Sequence, residues 1–333
     1  MQIETYYAPV LIPTLCRFET LSKCLVSLSK CTGAEHTELY IALDYPSKDS
    51  HWDGYNKIVE FLDGLTGFKK VHIIKREYNY GINRNAQDLI NEVTAKYDRF
   101  IFTEDDNEFS PNFLAYINDG LEKYKDNPQV VAICGYNYPF AYMNNINDYD
   151  YNIMPISYYT CWGVGRWSDK LPSHFVNREN AASIVHSWKK VIKLWKMNQH
   201  ITVHRLLSRY ENAFSDLVWR IYCVFENKYC IMPAVSKVRN LGFKSNGTNC
   251  AAINIYEQQI IDEKKTFAYD DIIIKDYLPV KHAQERLTGG NLFFKVVCFF
   301  EYSLFRITGK PIKEISLGRK IMRFRVKKLG VNN

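Results

Sequence analysis

Apolar positions along this chain follow two alternating rhythms. Short, nearly continuous apolar runs occur at Tyr6 to Pro13, Glu38 to Leu43, Lys70 to Ile74, Phe100 to Phe102 and Val130 to Cys134. Runs of that length, rich in Val, Ile and Phe, predict strands buried on both faces. Between them the apolar residues fall three or four apart. Leu21, Leu25 and Leu28 mark a helix within Leu15 to Lys30, and Ile82, Ala86, Leu89, Ile90 and Val93 mark another. Trp52 to Leu65 reads as a third helix. Strands alternating with helices of this length predict an α/β fold, a doubly wound and mostly parallel sheet with helices on both faces. From Ser168 to Leu207 the pattern becomes helical throughout, and a further helix begins within Asn212 to Trp219.

The most informative break in the pattern follows Phe102. The buried run ends in Glu104, Asp105 and Asp106, and three carboxylates at such an exit repel one another and resist desolvation. A cation removes that penalty, and open α/β sheets bind ligands outside the carboxyl ends of their strands. Period-two alternation puts Glu104 and Asp106 on one side, where oxygen ligands suit a hard divalent cation. A solvated acidic turn is the plainer explanation of the triplet taken alone. Asp44, at the end of the second strand, reads equally as an acceptor for a base or ribose and as a turn residue before Pro46. Arg84 and Asn85 open the helix before the acidic strand, where a cation pairs with a diphosphate or simply faces solvent. No GxGxxG or GxxxxGK[ST] motif is present, so a classical dinucleotide or P-loop site is unsupported.

Taken together, Ile12-Pro-Thr14, Asp44, Tyr80-Gly-Ile-Asn-Arg-Asn85 and Phe102-Thr-Glu-Asp-Asp106 resemble the nucleotide-binding half of GT-A-fold glycosyltransferases. More narrowly, they resemble bacterial family-2-like enzymes and the N-acetylglucosaminyltransferase I type, whose variant of the DxD motif is EDD. The resemblance implies that Asp106 ligates a divalent cation, Mn2+ or Mg2+, and that Glu104 and Asp105 lie near the donor ribose or sugar. Asp44 would then contact the base, and Pro13, Thr14, Arg84 and Asn85 would belong to the same donor side. Downstream, Cys161-Trp-Gly-Val-Gly-Arg-Trp167 is similar to the acceptor-side WGWxxW segment, with Val164 in place of a Trp, which makes Trp162, Gly163 and Trp167 acceptor residues. Aromatic rings with polar handles suit sugars. The stretch around Asp216 resembles the WDxQW helix start, with Ser215 and Val218 departing from it, and Asp216 becomes the general base of an inverting transfer. Val238 to Asn249 is similar to the closing NxGF…GTH segment. Asn249 stands where a metal-binding His is usual, so Asp106 is expected to be the ion's one side-chain ligand, and Asn246, Gly247 and Thr248 a loop over the donor.

The resemblance implies a nucleoside diphosphate sugar donor, UDP- or GDP-linked, and a hexosyl or N-acetylhexosaminyl transfer. The acceptor would be a glycan or lipid-linked glycan of bacterial surface polysaccharide or lipopolysaccharide synthesis. Residues 1–135 would form the nucleotide-sugar half of the domain, 136–260 the acceptor half, and 261–333 a C-terminal extension. A sugar-1-phosphate nucleotidyltransferase needs a Gly-rich basic loop after the first strand, which Leu15-Cys-Arg-Phe18 does not supply. A non-catalytic carbohydrate-binding protein of the same fold draws its support from the missing His, against the retained Asp106 and Asp216.

Charge sharpens the picture at one end. The chain of 333 residues has Lys+Arg 43 against Asp+Glu 36, a formal +7. Nine basic residues and one acid fall between Ser303 and Asn333, leaving the first 302 residues at −1. A near-neutral body argues against nucleic acid as a partner. The apolar, aromatic Leu292 to Ile307 joined to this basic tail suits an amphipathic element on an anionic membrane surface, with packing on the body as the competing account. Nine scattered cysteines fit a reducing compartment. With neither a signal-peptide pattern nor a spanning run, the expectation is a cytoplasmic protein, peripheral on the inner face of the cell membrane. His186, His200 and His204 have no metal-ligand spacing and read as surface or capping residues.

Overall fold

In the computed structural model, residues 7–138, 151–170, 183–209, 215–242, 259, 261–270, 285 and 287–309 are described. Strand β1 (Val10–Thr14) is followed by helix α1 (Phe18–Ser29), β2 (Glu38–Leu43), α2 (Trp52–Asp63), β3 (Lys70–Lys75), α3 (Gly81–Thr94) and β4 (Arg99–Phe102). These strands pair in parallel, in the order β3-β2-β1-β4. The sheet thus begins as the alternation of apolar runs predicts. The first strand starts later than expected and runs through Pro13 and Thr14, which pair with Ala42 and Leu43 of β2. Pairing with β4 stops at Leu11 and Phe102. The absent Pro13 N–H therefore breaks no ladder bond, and β1 and β4 part at their carboxyl ends.

Beyond β4 the sheet changes character. It continues through β8 (Val164–Trp167), β6 (Val130–Cys134), β9 (Tyr229–Pro233) and β7 (Ile153–Ile156). β8 is antiparallel to both β4 and β6, whereas β6 and β9 are parallel. Gly165 lets helix α4 (Phe113–Lys123) lie flat on β8, since a Cβ there would sit 2.5 Å from Ile117 Cγ2. A separate antiparallel ribbon pairs β5 (Asn107–Phe109) with β10 (Val238–Asn240), and Asn240 faces Asn107.

Each face of the sheet has its own core. Leu21, Leu25 and Leu28 of α1 and Ile58 and Leu62 of α2 cover one face. Leu89 and Val93 of α3, with Trp219 and Cys223, cover the other. A third cluster joins the helices Trp188–Lys196, His200–Arg209 and Ser215–Phe225 to the helix Leu292–Thr308. There His204 is 2% exposed and its Nδ1 lies 2.7 Å from Glu301 Oε2, so it is a core residue and not the surface or capping residue its spacing implied.

Residues 261–270 cross the first half of the molecule. Asn112 Nδ2 donates to Asp262 Oδ2 (3.0 Å) and to the Thr266 carbonyl (3.1 Å), and Tyr269 Oη donates to the Tyr116 carbonyl at 2.7 Å. Lys237, fully buried, pairs with the same Asp262. This part of the expected C-terminal extension is stitched into the body.

Candidate active site

The acidic triplet forms a tight corner between β4 and β5. Thr103 is buried beneath it and accepts from Asn107 Nδ2 at 2.8 Å, which fixes the turn. Asp105 and Asp106 are buried at 4% and 5% exposure. Such carboxylates need partners, and the parted ends of β1 and β4 supply them. Thr14 Oγ1 donates to Asp105 Oδ2 at 2.7 Å. The Arg17 guanidinium bridges the two aspartates, reaching Asp106 Oδ2 at 2.8 Å and Asp105 Oδ1 through its other nitrogen. Burial works against the charge on Arg17, but Asp105 and Asp106 outweigh it and hold its pKa above the ordinary arginine value. Burial raises the Asp105 pKa, Arg17 opposes that shift, and Asp106 adds to it. On the far side Asn240 Nδ2 donates to Asp106 Oδ1 at 2.8 Å. The backbone at Gly242 presses so close that a Cβ would lie 2.1 Å from Asp106 Oδ2.

Glu104 turns the other way, toward the second half of the sheet. Because β8 is antiparallel to β4, the residues that enter β8 lie beside those that leave β4. Trp162 Nε1 therefore donates to Glu104 Oε2 at 3.1 Å, and Cys161 Sγ lies 3.3 Å from Oε1. Burial, then the charges of Asp106 and Asp216, push Glu104 up to about 8. Gly163 has a φ of +65°, and a side chain there would strike Phe113 and Val238.

Asp216 belongs to the first turn of the helix Ser215–Phe225. Burial raises its pKa, with Arg220 the main opposing influence. Arg220 Nη2 is 3.9 Å from Asp216 Oδ2, too far for a hydrogen bond, and is held by the Tyr159 carbonyl (3.1 Å) and the Tyr158 ring (3.7 Å). The other carboxylate oxygen, Oδ1, is buried with no hydrogen-bond partner among the described residues. The side chain as a whole is a quarter exposed and has the Cys161 thiol as a hydrogen-bonding neighbour. A carboxylate oxygen left open in this setting can take a proton.

Other residues expected at the site have their polar groups committed to the fold. Asp44 accepts from the backbone N–H groups of Tyr45 (2.9 Å), Tyr80 (2.8 Å) and Gly81 (2.9 Å), capping the start of α3. Asn85 donates to the Ala42 carbonyl (2.9 Å) and accepts from Arg76 Nε (2.8 Å). Arg84 is exposed, stacked over the Tyr80 ring at 4.1 Å and 3.5 Å from Asp88. Trp167 is a core residue and not a surface for an acceptor, its indole N–H donating to the Leu121 carbonyl at 3.2 Å. Pro13 is buried within β1. Asn246, Gly247, Thr248 and Asn249 lie outside the described residues. The structure thus gathers Thr14, Glu104, Asp105, Asp106, Trp162 and Asp216, and it adds Arg17, Cys161, Asn240 and Arg220, which sequence reasoning missed. For Arg17 the available signal was a lone cation three residues beyond a strand-end threonine.

The family model of glycosyl transferase family 2 matches residues 10–176, half of the chain. Among solved structures, S. aureus TarS is similar at 14% identity and a TM-score of 0.32, over 49% of this chain and 28% of that one. For S. aureus TarS 1-349 the values are 14%, 0.33, 48% and 47%. For the mannosyltransferase PcManGT from Pyrobaculum calidifontis, in complex with GDP-Man and Mn2+, they are 13%, 0.33, 49% and 46%. This chain spans less than half the length of each of those chains. No curated protein matches it.

Proposed function

The chain belongs to glycosyl transferase family 2, and from that premise we propose that it moves a hexosyl or N-acetylhexosaminyl group from a UDP- or GDP-linked donor to a glycan hydroxyl, with inversion. The observation that carries this reading is the unspent, buried Oδ1 of Asp216, electrostatically coupled through Glu104 to the acidic corner. In the proposed reaction Asp216 takes the acceptor hydroxyl proton. The acceptor oxygen bonds to the anomeric carbon as the bond from that carbon to the diphosphate breaks. A single displacement from the opposite face inverts the centre.

The residues at the corner fit a divalent cation. Asp106 and Asp105 present hard oxygen donors, and the Arg17 guanidinium lying against both is a cationic stand-in that supports the fit. Asp106 would hold Mn2+ or Mg2+, which would offset charge on the departing diphosphate. Thr14 and Asn240 orient the two carboxylates, and Trp162 with Cys161 orients Glu104. Asp44 acts on the donor side by holding the 79–81 turn in place. We assign the acceptor to a lipid-linked glycan of bacterial surface polysaccharide synthesis, which brings the enzyme to the inner face of the cell membrane.

Isothermal titration of UDP and GDP with and without Mn2+ tests the donor side. Asp106→Ala is expected to abolish the metal-dependent part of binding, and unchanged metal-dependent binding would overturn the assignment. A panel of nucleotide sugars, read by nucleoside diphosphate release, identifies the donor.

A further inference from the structure

We propose that the outer face of the helix Leu292–Thr308 is a docking surface for an anionic lipid bilayer, on which the helix lies in the plane of the interface. This deepens the membrane part of the proposed function by naming the surface that makes the contact. The helix is well defined at both ends. Asn291 accepts the Phe294 N–H at 2.8 Å, and Gly309 closes the last turn in the left-handed region, with a φ of +65°.

Its inner face buries Phe294, Val297, Cys298, Tyr302 and Phe305 against the neighbouring helices. Its outer face is apolar yet uncovered. Leu292 is 78% exposed, Phe293 59%, Phe300 66%, Leu304 57% and Ile307 83%, and Phe299 lies among them. At about 100° per residue these positions fall within an arc of roughly 140°. The helix carries one acid, Glu301, which is buried against His204 on the opposite side. Lys295 and Arg306 fall at one border of the apolar arc, Lys295 donating to Asn198 Oδ1 at 2.8 Å and Arg306 exposed.

Three observations favour a lipid surface as the occupant. First, the adjoining helix Trp188–Lys196 exposes Lys189, Lys190, Lys193 and Lys196, and it has no acid. It lies alongside, with Trp195 6.0 Å from Phe299 and Arg306 donating to the His186 carbonyl. Second, residues 310–333 add eight basic residues and one acid. An apolar stripe bordered by the lysines of the adjoining helix, in a chain whose sequence continues into so basic a segment, complements an anionic interface. A second copy of the chain would bring its own lysines against these. Third, a helix of 17 residues, about 26 Å long, is too short and too charged to cross the bilayer, and none of the described helices meets that requirement.

The test uses the full chain without donor or acceptor, co-sedimented with vesicles of phosphatidylcholine alone or mixed with phosphatidylglycerol. Binding is expected to the mixed vesicles. Phe300→Ser combined with Leu304→Ser should lower the partition coefficient at least ~tenfold with the melting temperature unchanged, because both side chains are exposed. Lys190→Glu with Lys193→Glu should weaken the preference for phosphatidylglycerol. The proposal is overturned if the wild-type chain ignores both vesicle types, or if the serine pair leaves the partition unchanged. It is also overturned if that pair dissociates a dimer in sedimentation while lipid binding persists. Glycosyl transfer is not measured, so failure here leaves the transfer reading standing, and failure of the UDP or GDP titration leaves this one standing.

Discussion

Asp44 and Asp216 are both aspartates beside the start of a helix, and the difference between them separates fold from chemistry. Asp44 receives three backbone N–H groups within 2.9 Å, so its lone pairs complete the first turn of α3. Asp216 sits in its own helix's first turn with one oxygen unpartnered among the described residues and its nearest cation at 3.9 Å. The parallel half of the sheet spends its strand-end carboxylate on architecture. A helix packed beside the mixed half holds its first-turn carboxylate in reserve. A buried polar group that the fold leaves unsatisfied is costly, and its retention points to a use in the reaction.

That contrast breaks most visibly at Asp216. Asp216→Asn keeps the shape but removes the base, and kcat is expected to fall roughly a thousandfold while thermal stability holds or rises. Retained turnover in a donor-release assay would sink the assignment. The matching change on the other side, Asp44→Ala, leaves three partly buried N–H groups without their acceptor and should cost about 2 kcal/mol in chemical denaturation. Any loss of rate should follow that loss of folded protein. Thr14→Val removes a single bond to Asp105 and should cost about 1 kcal/mol, with a weaker affinity for Mn2+ by titration.

The smallest expected effect is in pH dependence. Burial holds the Asp216 pKa above the ordinary 3.8, so the folded chain keeps a proton that the unfolded chain has already released. Stability therefore declines as pH rises from about 3.8 to the folded-state value and is level above it. The acidic limb of kcat/KM should lie above the ordinary carboxylate range for the same reason. Asp216→Asn should flatten the stability slope, and an unaltered slope in denaturation at several pH values would refute the cause.

Local pattern exposed much of this architecture. Glu38–Leu43 and Val130–Cys134 are strands over the spans their apolar runs marked, because both faces of each are buried and every residue but Glu38 carries the signal. Asp216 was legible as a helix-start acid. β8 was not legible. Val164–Trp167 is short, holds a glycine and an arginine, and is defined by partners on β4 and β6 that are distant in sequence. The tryptophans at and before it suggested acceptor-binding residues, yet Trp167 went to the core while Trp162 reached Glu104. Arg17 stayed hidden for a related reason. Nothing within α1 asks for a cation, and the need arises only once Asp105 and Asp106 are folded against it.

The crossing of residues 261–270 has a consequence in time. Asn112, Tyr116 and Lys237 all complete their polar contacts on this segment, and Thr32 Oγ1 donates to the Lys265 carbonyl at 3.0 Å. A chain emerging from the ribosome can assemble β1 to β4 early, from neighbours close in sequence. Lys237 nevertheless stays an unmatched cation, and the Asn112 side-chain amide lacks its acceptors, until more than 260 residues have been made. Contacts of such long sequence separation are slow to form. The crossing therefore acts as a late latch, and a nascent chain stalled before it would be a sheet with an open seam and a ready substrate for chaperones.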